Sequence, residues 1–139
     1  MEVVDKDKLY NCSPYTQAKN FTQLMLCVLN NNLKTALDYI SEINAKNSEG
    51  WTALHIACIN SKAFSSIEMV DLLLKNGADP NTKNNHGNTP LHFASAYSND
   101  TSSLATVDLL LRSGADPNAK DNYGCTPLHF ASKFSNNYG

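Results

Sequence analysis

A chain of 139 residues is one domain by length, and its formal net charge of −2, with no basic run, argues against nucleic acid or an anionic membrane surface as partner. Its apolar share of 42% is too high for disorder. No stretch approaches the ~18 apolar residues of a membrane span, and Met1-Glu2-Val3-Val4-Asp5-Lys6 lacks the basic-then-apolar pattern of a secretory signal.

Residues 1–19 carry no internal repetition; Ser13-Pro14 is an isolated helix-start pair. Thereafter the chain repeats. Thr52-Ala53-Leu54-His55-Ile56-Ala57 is followed 37 residues on by Thr89-Pro90-Leu91-His92-Phe93-Ala94, and after another 37 by Thr126-Pro127-Leu128-His129-Phe130-Ala131. Met69 to Asn81 answers in the same way to Thr106 to Asn118, each containing Val-Asp-Leu-Leu-Leu and then Gly-Ala-Asp-Pro-Asn. Thr22-Gln23-Leu24-Met25-Leu26-Cys27 is a looser copy, only 30 residues before Thr52. A fixed period of this size means one supersecondary unit stacked on copies of itself.

Each unit reads as two helices and a turn. Thr89 can cap an inner helix, and Pro90 at its first position sacrifices no hydrogen bond; the helix is predicted to run from Pro90 to Tyr97, with Leu91 and Ala94 on one face. An outer helix is predicted from Leu104 to Arg112, capped by Ser102 or Ser103, with Val107, Leu110 and Leu111 as its apolar stripe. Gly114 ends it, Asp116-Pro117-Asn118 turns the chain outward, and Asn122 and Gly124 shape the tip.

The two linked motifs, in fixed order over about residues 22–139, resemble the ankyrin repeat family, whose signature is T-P-L-H-x-A followed by a leucine-rich helix and Gly-Ala-Asp-x-Asn. The resemblance implies an all-α solenoid of helix–turn–helix units joined by short β-hairpin loops. Its parts are a non-repeat segment (1–19), a degenerate capping unit (20–46), full units at 47–83 and 84–120, and a partial unit (121–139) without its outer helix. The last departure implies a piece of a longer array or an imperfect end, with self-association through the truncated unit. Each full unit also exceeds the usual period of about 33 by four residues between its helices. That extension is either tolerated loop growth or an extra ridge carrying Phe64 and Tyr97.

Little in the sequence suggests catalysis. His55, His92 and His129 form a column at the repeat spacing, but stacked helices lie about 10 Å apart, too far for neighbouring imidazoles to share one metal ion. In the family this histidine bonds its own threonine and the adjacent hairpin backbone. The cysteines at 12, 27, 58 and 125 make no C-x-x-C pair, so neither zinc nor a disulfide framework is expected; such thiols fit a reducing cytoplasm or nucleus. Cys58 lies three residues after His55, in a slot that wants a small buried residue rather than a nucleophile. No phosphate loop, carboxylate pair, cofactor site or small-molecule substrate site is visible, and Asp71 and Asp108 read as the solvated face of the outer helices.

The resemblance implies instead a non-catalytic module that holds a protein, of unspecified identity, in a concave groove. The groove positions at the tips are Ser48, Glu49 and Trp51, then Asn85, His86 and Asn88, then Asn122, Tyr123 and Cys125. Those on the inner helices are Ile59 and Asn60, then Ala96 and Tyr97, then Lys133 and Phe134. These letters vary between units while scaffold letters stay fixed. The aromatics Trp51, Tyr97, Tyr123 and Phe134 are the candidate anchors, although Trp51 could equally pack on its own repeat. Asn81 and Asn118 also resemble asparaginyl-hydroxylation contexts of ankyrin repeats, or simply stabilise their turns. The alternative function is targeting on behalf of a larger protein. Asparagine-rich usage together with such repeats is similar to arrays of large DNA viruses and intracellular bacteria that engage host proteins.

Overall fold

The computed structural model describes residues 20–59, 67–96 and 101–135, with the side chains of 101–103 and 133–135 excepted. Seven α-helices and one 3₁₀ helix make up the described chain: α1 (Gln23–Leu29), α2 (Leu33–Ala36), the 3₁₀ helix Leu37–Glu42, α3 (Ala53–Ile59), α4 (Ile67–Lys75), α5 (Pro90–Ala96), α6 (Thr101–Arg112) and α7 (Pro127–Ser135). The inner helices α1, α3, α5 and α7 stack in order, while the outer helices α4 and α6 pack on each other and on α3 and α5 respectively. This is the expected helical solenoid.

Stacking follows from what one unit cannot bury. Leu54, Ile56 and Ala57 of α3 and Leu91 and Ala94 of α5 are buried between neighbours, and Leu73 and Leu110 close the outer layer. Each leucine withdrawn from water contributes about 1.5–3 kcal/mol. Cys58 is buried in its small-residue slot.

The first unit departs from the others, as its letters foretold, but builds real structure. Thr22 Oγ1 accepts the backbone N–H of Met25 at 3.1 Å, and Asn32 Oδ1 caps α2 by accepting from Thr35 N–H at 3.1 Å. The outer half is a short α-helix and a 3₁₀ segment kinked at Tyr39 (φ −117°, ψ 23°). Glu42 Oε1 accepts from Leu24 N–H at 3.1 Å, tying the two halves together.

The loops and the outer helix add detail to this architecture. No strand occurs among the described residues. The hairpin loops are turns, each closed by an outer bond, Asn47 N–H to Trp51 O, Asn84 N–H to Asn88 O and Asp121 N–H to Cys125 O, and an inner one, from Gly50, Gly87 and Gly124 N–H to Asn47, Asn84 and Asp121 O, all at 2.9–3.0 Å. The side chain at the turn's first position takes over the pairing: Asn84 Oδ1 accepts from His86 and Asn88 N–H, and Asp121 Oδ1 from Tyr123 and Cys125 N–H. Further, α6 starts at Thr101, so Ser102 and Ser103 lie within the helix rather than ahead of it; Leu111, placed on the apolar stripe, is exposed.

Candidate functional site

The turn tips form a ladder. Asn85 N–H donates to Glu49 O and Asn122 N–H to His86 O, both at 3.0 Å. Asn85 Nδ2 donates to Ser48 O (3.1 Å) and Asn122 Nδ2 to Asn85 O (3.0 Å). Lys46 Nζ reaches Lys83 O and Lys83 Nζ reaches Lys120 O. Asn81 spans the third rung: its Nδ2 donates to Gly114 O (3.0 Å) and its Oδ1 accepts from Asp116 N–H (2.7 Å), as Asn44 does one unit earlier with Gly77 O and Asp79 N–H. The chain thereby fixes the backbone spacing of its tips.

The histidine column is internal framework. His55 Nε2 lies 2.9 Å from Asn88 O, which can only accept, so Nε2 carries the proton and Nδ1 accepts the Thr52 N–H at 3.1 Å. His92 repeats this with Cys125 O (2.9 Å) and Thr89 N–H (3.0 Å). Both rings are fully buried. Burial lowers the His55 pKa to about 4, with Lys46 acting in the same direction, and burial also lowers that of His92. Burial pushes the Cys58 thiol far up, which disfavours the thiolate. Among the described residues no group of three His, Cys, Asp or Glu side chains is placed to hold a metal ion, and Cys27, Cys58 and Cys125 form no disulfide. No described helix is long and apolar enough to cross a membrane. Asp71 and Asp108 pair with Lys75 (2.8 Å) and Arg112 (3.1 Å) on the exposed side of the outer helices.

The expected groove positions divide. Ser48, Asn85, His86, Asn122 and Tyr123 are exposed, Tyr123 at 83%, and Glu49, Asn88 and Cys125 are half-buried. Asn85 and Asn122 are spent on the ladder through their amide groups. Trp51 is core: only 3% exposed, it lies 5.1 Å from the Phe93 ring and 6.3 Å from His55, because the next unit's inner helix closes over it. Ile59 and Ala96 are buried as well, at the ends of α3 and α5. Asn60, Phe64 and Tyr97 lie outside the described residues, as do Cys12 and the Ser13-Pro14 pair of segment 1–19; Lys133 and Phe134 belong to α7 with side chains not described.

Between the second and third tips, at the junction of the third and fourth units, opens a cavity of about 620 Å³, lined by His86, Asn88, Asp121, Tyr123, Cys125, His129 and Phe130. His129 and Phe130 are absent from the groove positions read in the sequence. Their letters match those of the buried His92 and the half-buried Phe93, which concealed that His129 is exposed, while Phe130 keeps its counterpart's edge-on contact with the preceding histidine, His92 at 5.0 Å. A smaller hollow of about 360 Å³ lies between α4 and α6, bordered by Glu68, Asp71 and Asp108.

A family model described as ankyrin repeats (3 copies) matches residues 24–121 and again 64–138. Several ankyrin repeat proteins of Acanthamoeba polyphaga mimivirus are similar to the chain. One is 39% identical over 85 residues, covering 51% of this chain and 15% of the relative. Another is 45% identical over 73 residues, covering 45% and 13%. A third is 41% identical over 78 residues, covering 48% and 12%. The chain thus spans a small fraction of the length of the relatives it matches.

Proposed function

Because the chain belongs to the ankyrin repeat family, whose repeats are in general protein–protein interaction modules, we propose that it is a non-catalytic adaptor gripping a protein partner along its turn tips. One observation carries this reading. Glu49, His86 and Tyr123 occupy the same place in three successive turns, the first two with their carbonyls held by the ladder. Yet they present a carboxylate, an imidazole and a phenol. A constant backbone row with changing side chains is what selective recognition of an irregular protein surface requires.

The test is affinity capture with the intact chain and a His86→Ala, Tyr123→Ala double variant, both checked for equal helicity. A partner held by the parent and lost by the variant supports the tip row. The same partner retained at equal strength would sink it. Similarity to mimivirus repeat proteins supports a host protein as the target, and four cysteines without a C-x-x-C pair fit a reducing cytoplasm or nucleus as the place.

A second reading, that this stack targets a longer protein whose effector segment lies elsewhere, draws on the small fraction of each relative that aligns, 12–15% in the three above. The complete open reading frame decides it. Self-association draws on Leu128, 74% exposed on the outer face of the fourth unit. As hydroxylation substrates the two asparagines differ. The Asn81 amide is engaged at both ends within the ladder, so peptide mass spectrometry would find the added oxygen on exposed Asn118 ahead of Asn81.

A further inference from the structure

We propose that the cavity between the third and fourth units receives a tryptophan side chain from the protein partner, seated as Trp51 is seated one junction earlier. The repeat period sets up the comparison. Asn88 and Phe130 stand 37 residues after Trp51 and Phe93, the same offset that separates the ladder lysines. At the earlier junction the slot is filled from within: the Trp51 indole lies over Phe93 with planes 31° apart and is almost wholly buried. At the later junction the indole's position holds Asn88, a much smaller side chain, and about 620 Å³ stays open beside Phe130. The molecule itself displays the occupant that this slot accommodates.

Polar groups at the slot narrow the choice among aromatic side chains. Asn88 lines the cavity, and its Oδ1 is buried with no hydrogen-bond partner. A buried acceptor left in this state is costly, and turning the Asn88 side chain toward a donor in the cavity would relieve it. Asp121 adds a carboxylate to the lining. Both groups accept. Indole has an N–H to donate and nothing to accept with, whereas phenylalanine has no donor. Aromatic side chains seated in such pockets dominate contact energy. The inference rests on the reading that this face binds a protein, and adds which residue the partner inserts.

The probe is N-acetyltryptophanamide titrated into the intact chain, followed by amide-resolved NMR, with N-acetylleucinamide as the apolar control. The expected result is saturable shifts centred on Asn88, Cys125 and Phe130 for the indole and none for the control. Asn88→Trp should fill the slot from within, raise Tm and weaken probe binding by at least about tenfold. If that variant fails to fold, Asn88→Leu takes its place, filling part of the slot and removing the acceptor, with the same loss of binding expected. Shifts scattered elsewhere, equal response to the leucine probe, or undiminished binding to the folded variant would overturn the proposal. The capture experiment separates the two readings. A partner lost with His86 and Tyr123 while the slot ignores tryptophan leaves the tip row standing and removes this inference alone.

Discussion

A neutral imidazole sealed between a threonine and a carbonyl makes the fold sensitive to acid. The folded pKa of His55 is about 4, below the ordinary 6.5, because burial disfavours its charged form. Between those values the unfolded chain binds a proton that the folded chain refuses, so stability falls as pH drops from about 6.5 toward 4. From pH 7.5 to pH 5 His55 alone should remove about 2 kcal/mol, with His92 acting in the same direction. Urea midpoints at the two pH values read this directly, and a midpoint unchanged by pH would mean that the rings are not neutral and buried. A second expectation concerns glycine. Gly87 and Gly124 share a left-handed φ of 79°. A Cβ on Gly87 would lie 2.8 Å from the backbone nitrogen of Asn122, whereas one on Gly124 would meet nothing within 4 Å. Gly124→Ala should therefore cost only the strained backbone, roughly 1–2 kcal/mol, and Gly87→Ala several more because a ladder rung must move. Thermal melts of the two variants test the difference; equal costs would deny the ladder its tightness. Trp51 shows where reading residues from the sequence stops. Its letter is that of an anchor, and only the Phe93 ring closing over it, from a residue 42 positions away, makes it core.

At the scale of elements, identical letters acquire different roles through their neighbours. Leu91 and Leu128 are the third residue of the same hexapeptide, one at 2% exposure between α3 and α7 and the other at 74%. Leu91→Ala should cost about 2–5 kcal/mol through lost burial and a residual cavity, while Leu128→Ala should stay within about 0.5 kcal/mol. Leucine and alanine are similarly good helix formers, so denaturation midpoints of the pair isolate packing, and equal losses would contradict the stacking order. The helices of the repeated units were legible because their letters recur at one period: α5 and α7 begin at the prolines that the Thr-Pro pairs announce. The outer half of the first unit was not, since it lacks Gly-Ala-Asp and is organised by Asn32 and a kink at Tyr39 that no other unit shares. The start of α6 was also missed. A serine just ahead of Leu104 looks like a cap, but the helix continues through it to Thr101.

On the scale of the whole molecule, a linear stack distributes stability as a sum of units and nearest-neighbour interfaces rather than as one core. The inner helices α3 and α5 are covered on both sides, by α1 and α5 and by α3 and α7. Helix α7 packs on α5 and leaves Leu128 and His129 to solvent. The rungs tell the same story: Asn44 and Asn81 each hold the Gly-Ala-Asp turn of the following unit, and Lys46 and Lys83 a carbonyl beyond it. Opening α7 thus breaks one interface, and opening α5 breaks two. If burial of a single leucine accounts for the difference, the amides of α7 should exchange with solvent roughly tenfold to a hundredfold faster than those of α5. Native-state hydrogen exchange measures this residue by residue. Leu128→Ala should leave α3 protection untouched, because that change lies two helices away. Equal protection across α3, α5 and α7 would instead reveal a single cooperative body. The tip row, the tryptophan slot and the graded exchange would then lose their common cause, a frame built one neighbour at a time.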